Sequence, residues 1–253
     1  MGGGAPLALP QDSQQDDTQP AFSPDGQEIA FRSEREGGGI FLMGATGESV
    51  RRLTDFGFNP AWSPDGMEIA CATEGVVNPR IRRQRRSEIF RVSVATGERR
   101  LLYGGDAVQP SWSPHGYRIA FWGITKSGQR VVWTIPASGG VASQVTNDPS
   151  LDWDPVWSPD GRYLYFASDR SGVMNLWRVP IEERTGRVAG QPEPVTSSSQ
   201  ASMLLSISPD GRRIAYASDD SRTILEKVDL DPVHHGVSSR VFAGRPSPLS
   251  ARQ

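Results

Sequence analysis

The sequence predicts an all-β protein, a β-propeller of about five four-stranded antiparallel blades. The prediction rests on a repeated dozen residues: a short apolar run, Ser-Pro-Asp-Gly or a close variant, then a second apolar run. The Ser of this pattern recurs after 40, 50, 45 and 50 residues, which matches the length of a propeller blade. The five copies occupy residues 20–31, 60–71, 110–121, 155–166 and 205–216.

Each repeat reads as four strands joined by short turns. In the Ser-Pro-Asp-Gly turn, Pro fixes φ, Asp suits the third position and Gly accepts the positive φ that closes the turn. In the first two repeats a second turn, Thr-Gly-Glu, separates the third and fourth strands. In the first repeat the predicted strands are residues 20–23, 28–33, 40–45 and 50–54.

The second strand of each repeat indicates how the blades pack. Ile29, Ala30 and Phe31 are successive apolar residues, so we expect both faces of this strand to be buried between neighbouring blades. The small Ala leaves room for a large side chain of the next blade. Candidates for that side chain are Trp62, Trp112 and Trp157. Cys71, at the position of Phe31, is expected to be a buried small hydrophobe.

Composition sets limits on function. The net charge of −2 gives no general attraction to nucleic acid or to anionic lipid. A single Cys rules out an intrachain disulfide, and no apolar run reaches the length of a membrane span. The first ten residues lack the basic and apolar regions of a secretory signal. We therefore expect no membrane span in this chain, while its compartment stays open.

The predicted blades cover most of the chain. Residues 1–19 are interpreted as the outer strand of a preceding blade plus a linker, residues 20–242 as the propeller and residues 243–253 as a tail. This favours part of a propeller with six or more blades, although a closed five-bladed ring stays open. The blade boundaries lie at about 20–54, 59–103, 109–146, 154–196 and 203–242.

The repeat SPDG-x-x-IAF, together with SDRSGVMNLW at residues 168–177, resembles the TolB-like "PD" propeller repeats. The resemblance covers residues 20–230 and implies the propeller fold. It also implies membership of a group found as periplasmic proteins, as sensor-like domains of bacterial serine/threonine kinases and winged-helix regulators, and as propellers of prolyl-oligopeptidase-type enzymes. The pattern is most similar to the kinase- or regulator-attached type. The chain would then be periplasmic or extracytoplasmic, and otherwise cytoplasmic.

Motifs of catalysis are absent from the sequence. It has no G-x-S-x-G, no G-x-G-x-x-G, no H-R-D and no P-loop. His234 and His235 make a poor zinc site, and Asp148, Asp152 and Asp154 lack the spacing of a calcium loop. We therefore expect no catalysis, no metal and no cofactor.

Two classes of function remain open. The first is a non-catalytic binding or sensing propeller, a fragment of a bacterial signalling protein that binds a protein or a small molecule. The alternative is the propeller of a hydrolase, such as a prolyl-oligopeptidase-like peptidase, whose catalytic domain lies elsewhere.

Binding is expected on the face formed by the loops between strands two and three and between successive blades, which we call the loop face. The Ser-Pro-Asp-Gly turns lie on the opposite face. The loop of the second repeat carries Arg80, Arg82, Arg83, Arg85 and Arg86, which suit an anionic partner. Asp169 and Arg170 also fall on this face, where capping a hairpin competes with binding. Inner strands start at Gln19, Asn59, Gln109, Asp154 and Leu204, which are expected to offer polar groups around the axis.

Overall fold

The computed structural model describes residues 15–76, 78–198 and 201–219, and two strands beyond them. The chain divides into two compact units, residues 1–218 and 219–253. The described residues contain no α-helix, only a 3₁₀ turn at Arg35–Gly37. The all-β prediction is confirmed.

Four antiparallel sheets form the first four blades in the strand order of the chain, except that the last strand of blade four pairs with the third. Blade one contains β1 (Asp17–Phe22), β2 (Glu28–Ser33), β3 (Gly39–Gly44) and β4 (Arg51–Arg52). Blade two contains β5 (Phe58–Trp62), β6 (Glu68–Ala72), β7 (Ile89–Ser93) and β8 (Arg99–Tyr103). Blade three contains β9 (Val108–Trp112), β10 (Arg118–Ile124), β11 (Arg130–Pro136) and β12 (Ser143–Gln144). Blade four contains β13 (Asp152–Trp157), β14 (Tyr163–Ser168), β15 (Asn175–Glu182), β16 (Arg187–Val188) and β17 (Glu193–Pro194).

The fifth repeat forms the paired strands β18 (Ala201–Ile207) and β19 (Ile214–Asp219). In the second unit, β20 (Glu226–Leu230) pairs with β21 (Val237–Val241). Residues 1–14, with their predicted outer strand, lie outside the described residues, as do His234, His235 and residues 243–253. The completion of a fifth blade therefore stays a prediction.

In blade one the inner strand is longer than predicted, and the outer strand is shorter. β1 starts at Asp17, not at Pro20, because Asp17 and Thr18 pair with Ser33 and Arg32 beyond an irregularity in the register. The outer strand of blade one pairs through Arg51 and Arg52 only. In β13 the register shifts between Trp153 and Val156, so a bulge recurs in the inner strands.

The contacts between blades follow the predicted pattern. Ala30 of blade one lies in the same apolar cluster as Trp62 of blade two, whose Nε1 donates to the Ala21 carbonyl at 3.0 Å. Ala120 and Trp157 share a second cluster. Cys71 is fully buried, and burial raises the pKa of its thiol to about 12, which confirms its role as a small hydrophobe.

The Ser-Pro-Asp-Gly turns are held by their own side chains. The Ser23 hydroxyl donates to the Asp25 carboxylate at 2.6 Å, and the Gly26 N–H donates to the Ser23 carbonyl at 2.9 Å. The bond from Ser23 is the main reason why the pKa of Asp25 is lowered. The repeated Asp is therefore a turn residue.

Candidate functional site

The arginine loop, residues 78–88, joins β6 to β7 on the loop face. In an antiparallel blade this connection lies opposite the Ser-Pro-Asp-Gly turn. The structure gives most of its arginines carboxylate partners: Arg80 pairs with Asp169, Arg82 with Asp106, Arg85 with Glu74 and Arg86 with Glu88.

Arg82 is the anchor of this loop. Its side chain and that of Asp106 are each 7% exposed. The guanidinium makes two hydrogen bonds to the Asp106 carboxylate and lies 5.3 Å from the centre of the Trp122 ring. Asp106 also accepts the Ile124 N–H at 3.2 Å. Arg82 therefore fixes the loop to blade three, and its charge is already neutralised.

The loop extends across blade three as far as blade four. Arg130 of blade three donates to the carbonyls of Pro79, Arg80 and Arg82 at 2.7, 3.1 and 2.9 Å. On the far side, the guanidinium of Arg80 lies 3.3 Å from the Asp169 carboxylate of blade four. These contacts hold the loop in place from both ends.

The exposed part of the loop includes Ile81 and Arg83. The side chain of Ile81 is 77% exposed. Arg83 is exposed and lines a cavity of about 310 Å³ together with Glu74 and Arg85. The pairs of Arg85 and Arg86 are also largely exposed, at 61% and 75% for the two arginines. A ligand can therefore reach Arg83, Arg85 and Arg86 without disturbing the anchor.

Asp169 and Arg170 belong to a hairpin cap of blade four, and the same kind of cap recurs in blade one. Arg170 contacts the carboxylates of Asp152 at 3.0 Å and Asp148 at 3.2 Å, and its Nε donates to the Ser168 hydroxyl at 2.9 Å. In blade one, Arg35 bonds Ser33 and Asp17 in the same way. Asp169 accepts the Leu151 N–H at 2.9 Å. The arrangement favours the structural interpretation of these residues.

The inner-strand positions share a feature that the sequence did not predict. All five residues adopt a left-handed backbone conformation although none is Gly, with φ between 51° and 56°. Such strain persists only where the surrounding structure imposes it, and it is concentrated at functional sites. The residues are Gln19, Asn59, Gln109, Asp154 and Leu204.

Side chains at these positions connect successive blades. The Asn59 N–H donates to Gln19 Oε1 at 2.6 Å, and the Leu205 N–H donates to Asp154 Oδ2 at 2.8 Å. Gln109 connects blade three to blade four, since its Nε2 donates to Asp154 Oδ1 at 3.3 Å. Asn59 Oδ1 is buried and has no hydrogen-bond partner among the described residues.

Asp154 is the titratable group of this series. The residue is half-buried, but its carboxylate is surrounded by protein, and this desolvation raises its pKa to about 6. Hydrogen bonds from the backbone of Leu205 and Leu204 oppose the effect and are outweighed. The carboxylate therefore changes charge close to neutral pH.

We expect Asp154→Asn to alter the pH dependence of stability. The folded state holds the Asp154 proton to higher pH than the unfolded chain, so this group lowers the free energy of unfolding as pH rises from about 4 to 7. Relative to wild type, the variant should gain up to about 3 kcal/mol over that interval, measured by urea denaturation.

The matched control is Asp160→Asn. A hydrogen bond from Ser158 lowers the pKa of Asp160, so both states are ionised above pH 5 and the difference from wild type should stay flat there. An equally flat difference for Asp154→Asn would contradict the assignment.

Within the described ranges, no three His, Cys, Asp or Glu side chains are placed to hold a metal ion. Asp148 and Asp152 both pair with Arg170, whose positive charge balances their negative charges. The described residues also contain no helix long and apolar enough to cross a bilayer.

Comparisons with known proteins bear on the fold. Residues 58–247 match the TolB beta propeller domain family. Among solved structures, a candidate TolB from Agrobacterium tumefaciens is 25% identical with a TM-score of 0.69, covering 90% of this chain and 76% of that one. The Tol-Pal system protein TolB of Anaeromyxobacter sp. is 31% identical over 45% of this chain and 24% of its own length.

Other relatives differ in their descriptions. The uncharacterized protein Atu1656 of Agrobacterium fabrum is 26% identical over 84% of this chain and 69% of its own length. The uncharacterized peptidase YuxL of Bacillus subtilis is 26% identical over 60% of this chain and 22% of its own length. An oligogalacturonate lyase from Vibrio parahaemolyticus shares the fold, at 14% identity and a TM-score of 0.60 over 93% of this chain and 71% of that one.

Proposed function

This chain belongs to the TolB beta propeller domain family, and on that premise we propose that it is a non-catalytic binding module. It recognises a protein or a small-molecule ligand on its loop face, and it serves a bacterial signalling protein. The signalling context rests on the resemblance of its repeats to kinase- and regulator-attached propellers.

The observation that carries the proposal is the series of left-handed residues in the inner strands. Four of these five residues carry polar side chains, and each of the four lies where the register of its inner strand shifts. Asp154, whose raised pKa comes from burial of its carboxylate, supplies a titratable group to this series. The exposed arginines of the arginine loop add paired donors for a carboxylate or phosphate.

A photo-crosslinking residue at Ile81 tests the location of binding. The matched control places it at Val141, which is 86% exposed in the β11–β12 turn on the opposite face. In cells that make the protein, we expect adducts with a partner from position 81 and none from position 141. Replacing Arg83, Arg85 and Arg86 by Ser should weaken adduct formation if the partner is anionic, while Arg82 is kept as the anchor.

The reverse pattern, with adducts from position 141 only, would contradict binding on the loop face. Absence of any adduct from position 81 would do the same for a macromolecular partner. If the ligand is a small molecule, crosslinked protein is not the measurement. In that case the proposal requires that the ligand protect residues 78–88 from hydrogen exchange.

The second candidate function is the propeller of a peptidase. The similarity to the peptidase YuxL favours it. This function requires a separate hydrolase domain, since the chain has no nucleophile motif. A G-x-S-x-G segment encoded downstream in the same gene would support it, and a kinase or DNA-binding domain upstream would support the signalling module.

A further inference from the structure

We propose that the free edge of β8 binds an extended acidic segment of a partner protein as an added strand. β8 (Arg99–Tyr103) is the outermost strand of blade two and pairs along one side with β7. The site lies at the outer edge of the blade, away from the arginine loop and the inner-strand series. It is therefore independent of the proposed loop-face function.

The outer strand of blade two differs from those of the other described blades. β4, β12 and β17 have two residues each, and β17 ends in Pro194, which has no N–H to offer. Short strands and Pro are the usual protection of a sheet edge against pairing with another chain. β8 has five residues and no Pro, so blade two alone among these blades presents an edge long enough to pair.

The backbone of β8 directs unpaired groups outward at two positions. The Ser93 N–H donates to the Glu98 carbonyl at 2.9 Å, so position 98 faces β7. In an antiparallel ladder the inward and outward positions alternate. The N–H and C=O groups of Arg99 and Leu101 therefore point away from β7, where an added strand would meet them.

The side chains of β8 define the occupant. Leu101, Arg99 and Arg100 are 53%, 57% and 73% exposed. The Arg99 guanidinium lies 5.2 Å from the Phe56 ring centre, beside a groove of about 580 Å³ whose lining includes Leu53 and Phe56. The edge thus combines two cations with apolar contact area, which suits an acidic strand that carries an apolar side chain.

Local carboxylates do not occupy the site permanently. Arg99 pairs with Asp55 at 3.3 Å and Arg100 with Glu98 at 3.2 Å. Both carboxylates are more than half exposed, and ion pairs between exposed groups contribute little to stability. A partner's carboxylate can replace them. A second copy of β8 fits poorly, because it would place arginines opposite arginines.

A selection from random peptides of about ten residues, displayed on phage and applied to the whole chain, tests the proposal. We expect recovered peptides to be rich in Asp and Glu and to slow hydrogen exchange at residues 99–103. Leu101→Pro removes an outward N–H without removing a bond to β7, and it should weaken binding at least roughly tenfold. The matched control is Val141→Pro, at an exposed apolar residue in a turn, which should not change affinity.

A second variant protects the test against misfolding of Leu101→Pro. Arg99→Ser combined with Arg100→Ser leaves the backbone intact and should weaken binding roughly tenfold and flatten its salt dependence. Peptides without acidic enrichment, or unchanged affinity in this double variant, would overturn the proposal. Exchange protection confined to the loop face would also overturn it while leaving the proposed function intact.

Discussion

Replacing Arg82 with Ala is expected to lower the free energy of unfolding by about 3–5 kcal/mol. The substitution leaves the Asp106 carboxylate buried without its cation, since both side chains are 7% exposed. It also removes the guanidinium from the face of Trp122. Urea denaturation followed by tryptophan fluorescence measures the loss.

The control for this prediction lies in the same loop. Arg86 also pairs with a carboxylate, that of Glu88, but its side chain is 75% exposed, so Arg86→Ala should change stability by less than about 1 kcal/mol. The double variant Arg82→Met with Asp106→Leu should recover much of the loss, because no buried charge then stays unpaired. Equal effects of Arg82→Ala and Arg86→Ala would show that the anchor is not buried in solution.

Replacing Trp122 with Ala is expected to cost about 3–5 kcal/mol. Trp122 is fully buried between blades three and four, where its ring meets Trp153 edge to face with centroids 6.4 Å apart. Its Nε1 donates to Gln109 Oε1 at 2.5 Å, so the substitution also releases one of the inner-strand positions. Thermal and urea unfolding measure the loss.

Trp122→Phe is the matched variant, since it keeps an aromatic ring and loses the N–H. It should cost clearly less than Trp122→Ala. Because Arg82 lies on this ring, the losses from Arg82→Ala and Trp122→Ala should not add, and their coupling should reach about 0.5–3 kcal/mol in a double-mutant cycle. Full additivity would mean that the two side chains do not interact.

The fold could be predicted from the sequence because every blade solves the same packing problem with the same residues. Ala30 and Trp62 show this, since a small residue and a large one recur at fixed positions and meet across each junction. The turn of Ser23 and Asp25 is equally local, and its hydrogen bonds span few residues. Local patterns of this kind are what a sequence displays.

The site could be predicted only in part. The arginines of residues 80–86 were identified as a group, but the sequence does not show that Arg82 pairs with Asp106, because that contact depends on how two blades dock. The left-handed backbone at Asp154 escaped prediction for another reason. Asp154 precedes Pro155, and a residue before Pro normally favours an extended conformation rather than a left-handed one. In four of the five inner strands the left-handed residue is a Gln, Asn or Asp directly before Pro, and this is the signal that the sequence offers.

The arginine loop changes how the blades depend on one another. Most contacts between blades join immediate neighbours, as in linear repeat proteins, where each unit can unravel from an end. The pair of Arg80 with Asp169 instead connects the second blade to the fourth and passes over the third. Loss of the third blade's order must break this connection as well. The buried pair of Arg82 with Asp106 and the bonds of Arg130 to the loop carbonyls belong to the same connection, so blades two, three and four are expected to open together in local unfolding.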